Sequence, residues 1–204
     1  MIRPWLVVVL LCAGLLGCGS SGPTPEQTAL SNMKWSYAEN GIQLNLTADP
    51  GLNPYNGQAH NLLLVVAQFD SANAFSTYTS SSQQLSSLLL MTTPPAGMIG
   101  LNRLFVDPGE VKSISLPRLE GAKMVGIAVG YAHLDPLRSA KLYQIGVNVT
   151  STGFFSKTWT AEPQPLVINL ALGPDALSTG PDIKASAPVA APKAGEVPLP
   201  GAKP

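Results

Sequence analysis

The sequence predicts a mainly β fold, an antiparallel β-sandwich of about eight short strands with a short helical insertion. Three observations carry this reading. Apolar residues recur with a period of two through most of the central stretch, as on half-buried strands. The chain holds 19 Gly and 19 Pro among 204 residues, which favours turns and strands over long helices. Turn-forming clusters separate the apolar runs at short intervals, as they do in sandwiches. Hydrophobic residues make up 45% of the chain, enough to bury a core. Charged residues make up only 12%, where about 25% is usual. With 12 basic and 12 acidic side chains the formal charge is zero. That balance excludes a basic field for nucleic-acid phosphates and an acidic, self-repelling tail.

Residues 1–17 read as a lipoprotein signal peptide. Arg3 supplies a short positive start, and residues 5–16 form an apolar run too short to span a bilayer. The run ends in Leu15-Leu16-Gly17-Cys18, the pattern of a bacterial lipobox. The Cys18 thiol takes the diacylglycerol, and the small Gly17 lets the peptidase reach the bond. Three acyl chains exceed the two signals that stable anchoring needs. Gly19 follows the cysteine in place of an inner-membrane retention Asp, so the expected location is the outer membrane, facing the periplasm. Cys12 leaves with the signal peptide, so the mature chain keeps no thiol for a disulfide, a thiolate metal site or a nucleophile.

Residues 18–32 are polar and read as a membrane tether. Residues 33–172 form one domain of a size that buries roughly two-thirds of its unfolded surface. Within it, residues 33–38 and 42–48 flank Asn40-Gly41, a hairpin signal. Ile42, Leu44, Leu46 and Ala48 share one face of the second strand; Gln43, Asn45 and Thr47 share the other. Residues 62–70 form a nearly continuous apolar strand. In residues 74–91 the apolar spacing turns helical, with a break at Ser80-Ser81-Ser82, so one or two short helices pack on a sheet. Strands at 104–106 and 111–116 bracket the turn Asp107-Pro108-Gly109-Glu110. Strands at 124–132, 142–149 and 166–172 complete the set. Residues 173–204 are rich in Pro, Ala and Gly, have no aromatic, and read as a disordered tail.

Charge is unevenly placed. Between residues 50 and 102 the only charged side chain is Asp70. Interface cores are depleted in charge, which directs attention to this half of the domain as a partner surface. Catalysis finds little support. The two histidines, His60 and His133, form no metal-spaced pair, and Glu110 and Glu120 are isolated. His133 near Asp135 reads as a turn contact, and there is no nucleophile elbow or phosphate loop. No catalytic residue, metal or cofactor is therefore expected, and no small-molecule substrate. Trp35, Tyr37, Tyr55, Tyr78, Tyr131, Tyr143 and Trp159 could stack on sugars, so a carbohydrate- or peptidoglycan-binding lipoprotein is the alternative reading. Among them only Tyr55 sits in a loop.

The motifs also occur in a recognisable order. Asp49-Pro50-Gly51-Leu52-Asn53-Pro54 and Asn56-Gly57 lead into a strand with Gln68 near its end. Then come Ala74-Phe75, the Pro108-Gly109-Glu110 turn and Met124-Val125-Gly126-Ile127-Ala128-Val129-Gly130-Tyr131. Together with the lipobox this order resembles the outer-membrane lipoprotein of type VI secretion systems, the TssJ/SciN family. The resemblance implies a transthyretin-like β-sandwich with a small helical addition and no catalytic activity. It implies a protein that anchors the secretion membrane core complex to the outer membrane. It further implies that the loop after the first family strand binds the periplasmic domain of the inner-membrane protein TssM. Here that loop is residues 49–61, carrying Asp49, Leu52, Asn53, Pro54 and Tyr55, with Leu52 and Tyr55 as anchors. Its prolines and glycines would lower the ordering cost of binding.

Overall fold

The computed structural model describes residues 22–178 together with residues 196–197. Helix α1 (Pro25–Asn32) opens the described chain. Then come β1 (Ala38–Ala48), β2 (Leu62–Phe69), α2 (Ala72–Thr79), α3 (Ser82–Leu90), β3 (Gly100–Val106) and β4 (Val111–Arg118). They are followed by β5 (Met124–Val129), the single turn α4 (Pro136–Ser139), β6 (Ala140–Gln144), β7 (Val147–Thr152) and β8 (Thr158–Pro163). β9 (Leu166–Leu172), β10 (Leu177–Ser178) and β11 (Glu196–Val197) complete it. By contacts the chain divides into two compact units. Of the described residues, one unit takes in 22–32 with Val149–Ala161, and the other holds Met33–Asn148 and those from Glu162 onward.

The larger unit is a two-sheet sandwich, with strand order β10-β9-β1-β4 in one sheet and β11-β6-β5-β2-β3 in the other. Its pairs are antiparallel except β1 with β9, which run parallel. Period-two sequence patterns carry no information about strand direction, so this one pair was open to sequence only as part of an antiparallel set. The inter-sheet core joins Ile42, Leu44 and Leu46 of β1, Ile168 and Leu170 of β9, Leu64 and Val66 of β2, and Val125 and Ile127 of β5. From Gln43 to Thr47 the outward face of β1 is polar but uncharged. Gln43 Nε2 donates to Ser113 Oγ (2.6 Å), Ser113 Oγ to Asn45 Oδ1 (2.6 Å), and Asn45 Nδ2 to Asn169 Oδ1 (2.9 Å). Cross-strand amides and hydroxyls thus satisfy one another across β9, β1 and β4, which is how a sheet face manages with few charges.

β2 and β5 are buried on both faces, because α2 and α3 cover the outer side of the five-stranded sheet. The break between these helices falls at Ser80-Ser81, as the sequence predicts. Ser81 caps α3, its Oγ accepting the Gln84 N–H at 3.2 Å. Phe75 of α2 lies on Gly126 of β5: a Cβ there would overlap the Phe75 ring. Phe69 meets the same ring edge-on, with centroids 5.5 Å apart.

Gln68 ties the two sheets together. It is fully buried; its Nε2 donates to the Pro117 carbonyl and its Oε1 accepts the Leu119 N–H, both at 2.9 Å. A buried amide is stable only with such partners. Gln68→Leu orphans both backbone groups and is expected to cost about 1–3 kcal/mol, read as a lower urea midpoint at unchanged m-value.

Four expectations need correction. No hairpin turn forms at Asn40-Gly41. Neither residue has the positive φ that a type I′ turn requires; both lie within β1, where its pairing with β4 shifts register between Ala38 and Ile42. Gly41 is instead needed where the strands close up, since a Cβ there would overlap that of Arg118. The strand expected at 142–149 is two strands in different sheets, interrupted at Ile145-Gly146. β8 was not expected, because its Trp159 and Ala161 are only half-buried and no apolar run marks it. The folded chain also continues past Leu172. Leu177 is buried in the inter-sheet core, and the Glu196–Val197 backbone pairs with Tyr143 and Leu142 of β6. The rest of the expected disordered tail, residues 179–195 and 198–204, lies outside the described residues, as do the signal peptide and Cys18.

Candidate functional site: the loop from Asp49 to Asn61

The loop between β1 and β2 is a constructed element. At its base Asp49 makes an Asx turn, Oδ1 accepting the Gly51 N–H at 2.7 Å. The Asp49 carbonyl accepts the N–H of Leu52 (3.0 Å) and of Gly109 (3.2 Å), which ties the loop to the turn after β3. Asn53 sits at φ 50, a left-handed conformation that asparagine tolerates better than most residues. Its N–H donates to the Pro174 carbonyl (2.8 Å), its Oδ1 accepts the Ala132 N–H (2.7 Å), and its Nδ2 donates to the Asn61 carbonyl (3.2 Å). One side chain therefore joins the loop to the segment after β5.

The tip is a miniature hairpin. Tyr55 and Gln58 exchange backbone hydrogen bonds of 2.9 and 3.1 Å around Asn56-Gly57, which have φ of 50 and 77. Positive φ at both central residues is the signature of a type I′ turn, and Asn-Gly is its preferred pair. Tyr55 is 60% exposed. Its ring meets His60 edge-on at 6.3 Å, and His60 Nε2 lies 3.3 Å from the Tyr55 carbonyl oxygen. From Pro54 to Asn61 there is no Asp, Glu, Lys or Arg.

Charges sit around the base of this loop in satisfied sets. Glu110 Oε2 accepts the Asp107 N–H (3.0 Å), and Oε1 lies 3.3 Å from Lys112 Nζ. The Asp107 hydrogen bond, helped by Lys112, holds the Glu110 carboxyl below its ordinary range. Arg138 pairs with Asp175 at 2.9 Å. Tyr131 is buried and its hydroxyl donates to the Gly173 carbonyl at 3.1 Å. Burial, and secondarily Asp175, pushes that hydroxyl well above its ordinary pKa, so it stays a donor.

The five loop residues singled out by sequence therefore divide. Asp49 and Asn53 build the loop's frame. Leu52 is fully buried in the inter-sheet core, so it cannot serve as a partner anchor; its apolar side chain points inward because the Asx turn folds the chain back over β1. Pro54 and Tyr55 remain on the exposed tip. Sequence reasoning passed over Gln58 and His60, which share that tip; the Tyr-Asn-Gly-Gln run was the available signal. Among the described residues, no group of three His, Cys, Asp or Glu is placed to hold a metal ion.

The model of the T6SS-SciN family of type VI secretion lipoproteins (VasD, EvfM, TssJ) matches residues 40–170. The type VI lipoprotein TssJ1 of Pseudomonas aeruginosa is 21% identical, with a TM-score of 0.47 over 72% of this chain and 98% of that one. Lip of Serratia marcescens, a membrane-bound component of the type VI secretion system, is 17% identical, with a TM-score of 0.49 over 72% of this chain and 99% of that one. A C-terminal domain of TssM from EAEC is 14% identical, with a TM-score of 0.49 over 69% of this chain and 98% of that one. None of the curated proteins matches the chain.

Proposed function

Because this chain belongs to the type VI secretion lipoprotein family, we propose that it anchors a secretion membrane complex to the outer membrane by binding the periplasmic domain of a TssM-like inner-membrane protein. Lipid on Cys18 holds one end, and the loop tip makes the protein contact. It acts by binding and performs no chemistry. The observation that supports this most is the preorganised, charge-free tip from Pro54 to Asn61 with an exposed tyrosine. Its backbone is already fixed by the type I′ turn and by Asn53, so little ordering entropy is lost on docking. Without Asp, Glu, Lys or Arg, no such ion of the tip has to be desolvated on docking. Tyr55 offers a large, stiff side chain of the kind that dominates hot spots.

Tyr55→Ala is the test. A hot-spot side chain is worth about 2 kcal/mol or more, so affinity for a TssM-like periplasmic fragment should fall roughly 30-fold, measured by calorimetry. The thermal midpoint should hold, because an exposed ring with one aromatic neighbour carries little of the fold. Unchanged affinity would remove the loop from the interface.

A further inference from the structure

The hairpin of β7 and β8 carries two aromatic side chains that the described protein leaves uncovered. Phe154 is 90% exposed and Phe155 99%, and their rings meet edge-on at 5.0 Å. The backbone enforces this display. Gly153 sits at φ +105, and a Cβ there would overlap the Ser156 carbonyl. Across the hairpin the Thr150 and Thr160 hydroxyls meet at 2.8 Å. Exposed apolar side chains gathered at one point mark a contact surface.

Three observations say what covers them. First, Val149–Ala161 belongs to the same compact unit as residues 22–32, which follow Cys18 closely in the chain. The residues between Cys18 and Pro25 reach at most roughly 25 Å even when fully extended, so an acylated Cys18 keeps α1 close to the bilayer. Second, Lys157 is the only charged side chain between Gly146 and Ala161. A lone cation beside an aromatic pair complements anionic headgroups over an apolar layer. Third, the patch is small. Two phenylalanines bury roughly 300–500 Å² together, well short of the roughly 800 Å² per partner of a stable protein interface. A narrow apolar wedge suits the bilayer interface.

We propose that Phe154 and Phe155 insert into the interfacial layer of the membrane that holds the lipid anchor, with Lys157 at the phosphates. An acyl anchor on a tether fixes distance but leaves orientation free. A second contact at the hairpin tip fixes how this unit faces the bilayer. The proposal rests on membrane anchoring alone and is independent of the loop from Asp49 to Asn61.

The test uses full-length acylated protein carrying Phe155→Cys, labelled with an environment-sensitive dye. In the mature chain the other cysteine is Cys18, whose sulfur is acylated. The protein is reconstituted into vesicles of phosphatidylethanolamine, phosphatidylglycerol and cardiolipin, with no other protein present. The dye emission should shift to the blue, iodide quenching should fall several-fold, and nitroxide on the lipid acyl chains should quench it. The same dye at Ser113→Cys, an exposed position on β4, should stay water-like. A label at position 155 that remains open to iodide overturns the proposal. So does shielding that rises with protein density at fixed lipid, which would mean a second copy. Shielding that appears only when a TssM-like fragment is added overturns it too, and would leave the loop reading untouched.

Discussion

Leu52→Ala is expected to lower the unfolding free energy by about 2–5 kcal/mol, the range for truncating a buried leucine. Leu52 is 0% exposed and packs in the inter-sheet core with Ile42, Leu64 and Leu172 among its cluster. Removing its side chain leaves a cavity beneath the loop, and close-packed walls relax only partly into it. The effect should extend beyond stability. The Leu52 N–H donates to the Asp49 carbonyl and its own carbonyl accepts the His60 N–H at 3.0 Å, backbone bonds that alanine keeps but that the buried side chain seats in place. At roughly 2–4 °C per kcal/mol for a domain of this size, the thermal midpoint should fall by on the order of 10 °C, measured by calorimetry. Paired with Tyr55→Ala, this separates frame from contact. Leu52→Ala should lose stability first and partner affinity as a consequence, and Tyr55→Ala should lose affinity alone. A Leu52→Ala protein that melts with the parent would show that its side chain does not sit in the core.

Much of the fold was legible, and where it was not the reason is physical. β1 and β9 could be read because one face meets the core and the other meets water, so Leu44 and Asn45, or Ile168 and Asn169, alternate. β2 could be read as a doubly buried strand for the opposite reason: it shows almost no alternation. The Asn-Gly pairs show the limit of local signals. Asn56-Gly57 forms its type I′ turn because nothing competes for its backbone. Asn40-Gly41 does not, because β1 pairs with β4 on both sides of it, at Ala38 and from Ile42 onward, and that tertiary pairing overrides the local preference. The site was legible as a loop and as a charge-poor stretch. Which way Leu52 points was not, since an apolar loop residue looks the same in sequence whether it seats in a core or awaits a partner. The contacts that fix Asn53 come from Ala132 and Pro174, far along the chain, and no local pattern announces them.

Phe75→Ala is expected to cost about 3–5 kcal/mol, and its coupling to Gly126 makes the stronger prediction. Phe75 is fully buried against Phe69, and its ring occupies the space where any side chain at Gly126 would stand. Gly126→Ala in the parent protein therefore forces a methyl into an aromatic ring and should destabilise through overpacking, by about 1–3 kcal/mol. In the Phe75→Ala background the ring is gone, and the same methyl falls into the cavity left behind. There Gly126→Ala should be neutral or stabilising, helped by the lower backbone entropy of alanine in the unfolded chain. The two changes are then non-additive, with a coupling of about 0.5–3 kcal/mol in a double-mutant cycle followed by urea unfolding. Additive costs would mean that Phe75 and Gly126 do not touch, and that α2 is held on the sheet by other contacts. The packing matters to the site because β2 and β5, which Phe75 and the helices cover, carry the two ends of chain that Asn53 joins: β2 begins just after Asn61, and β5 ends just before Ala132. A loop tip can be rigid only if the strands it hangs from are.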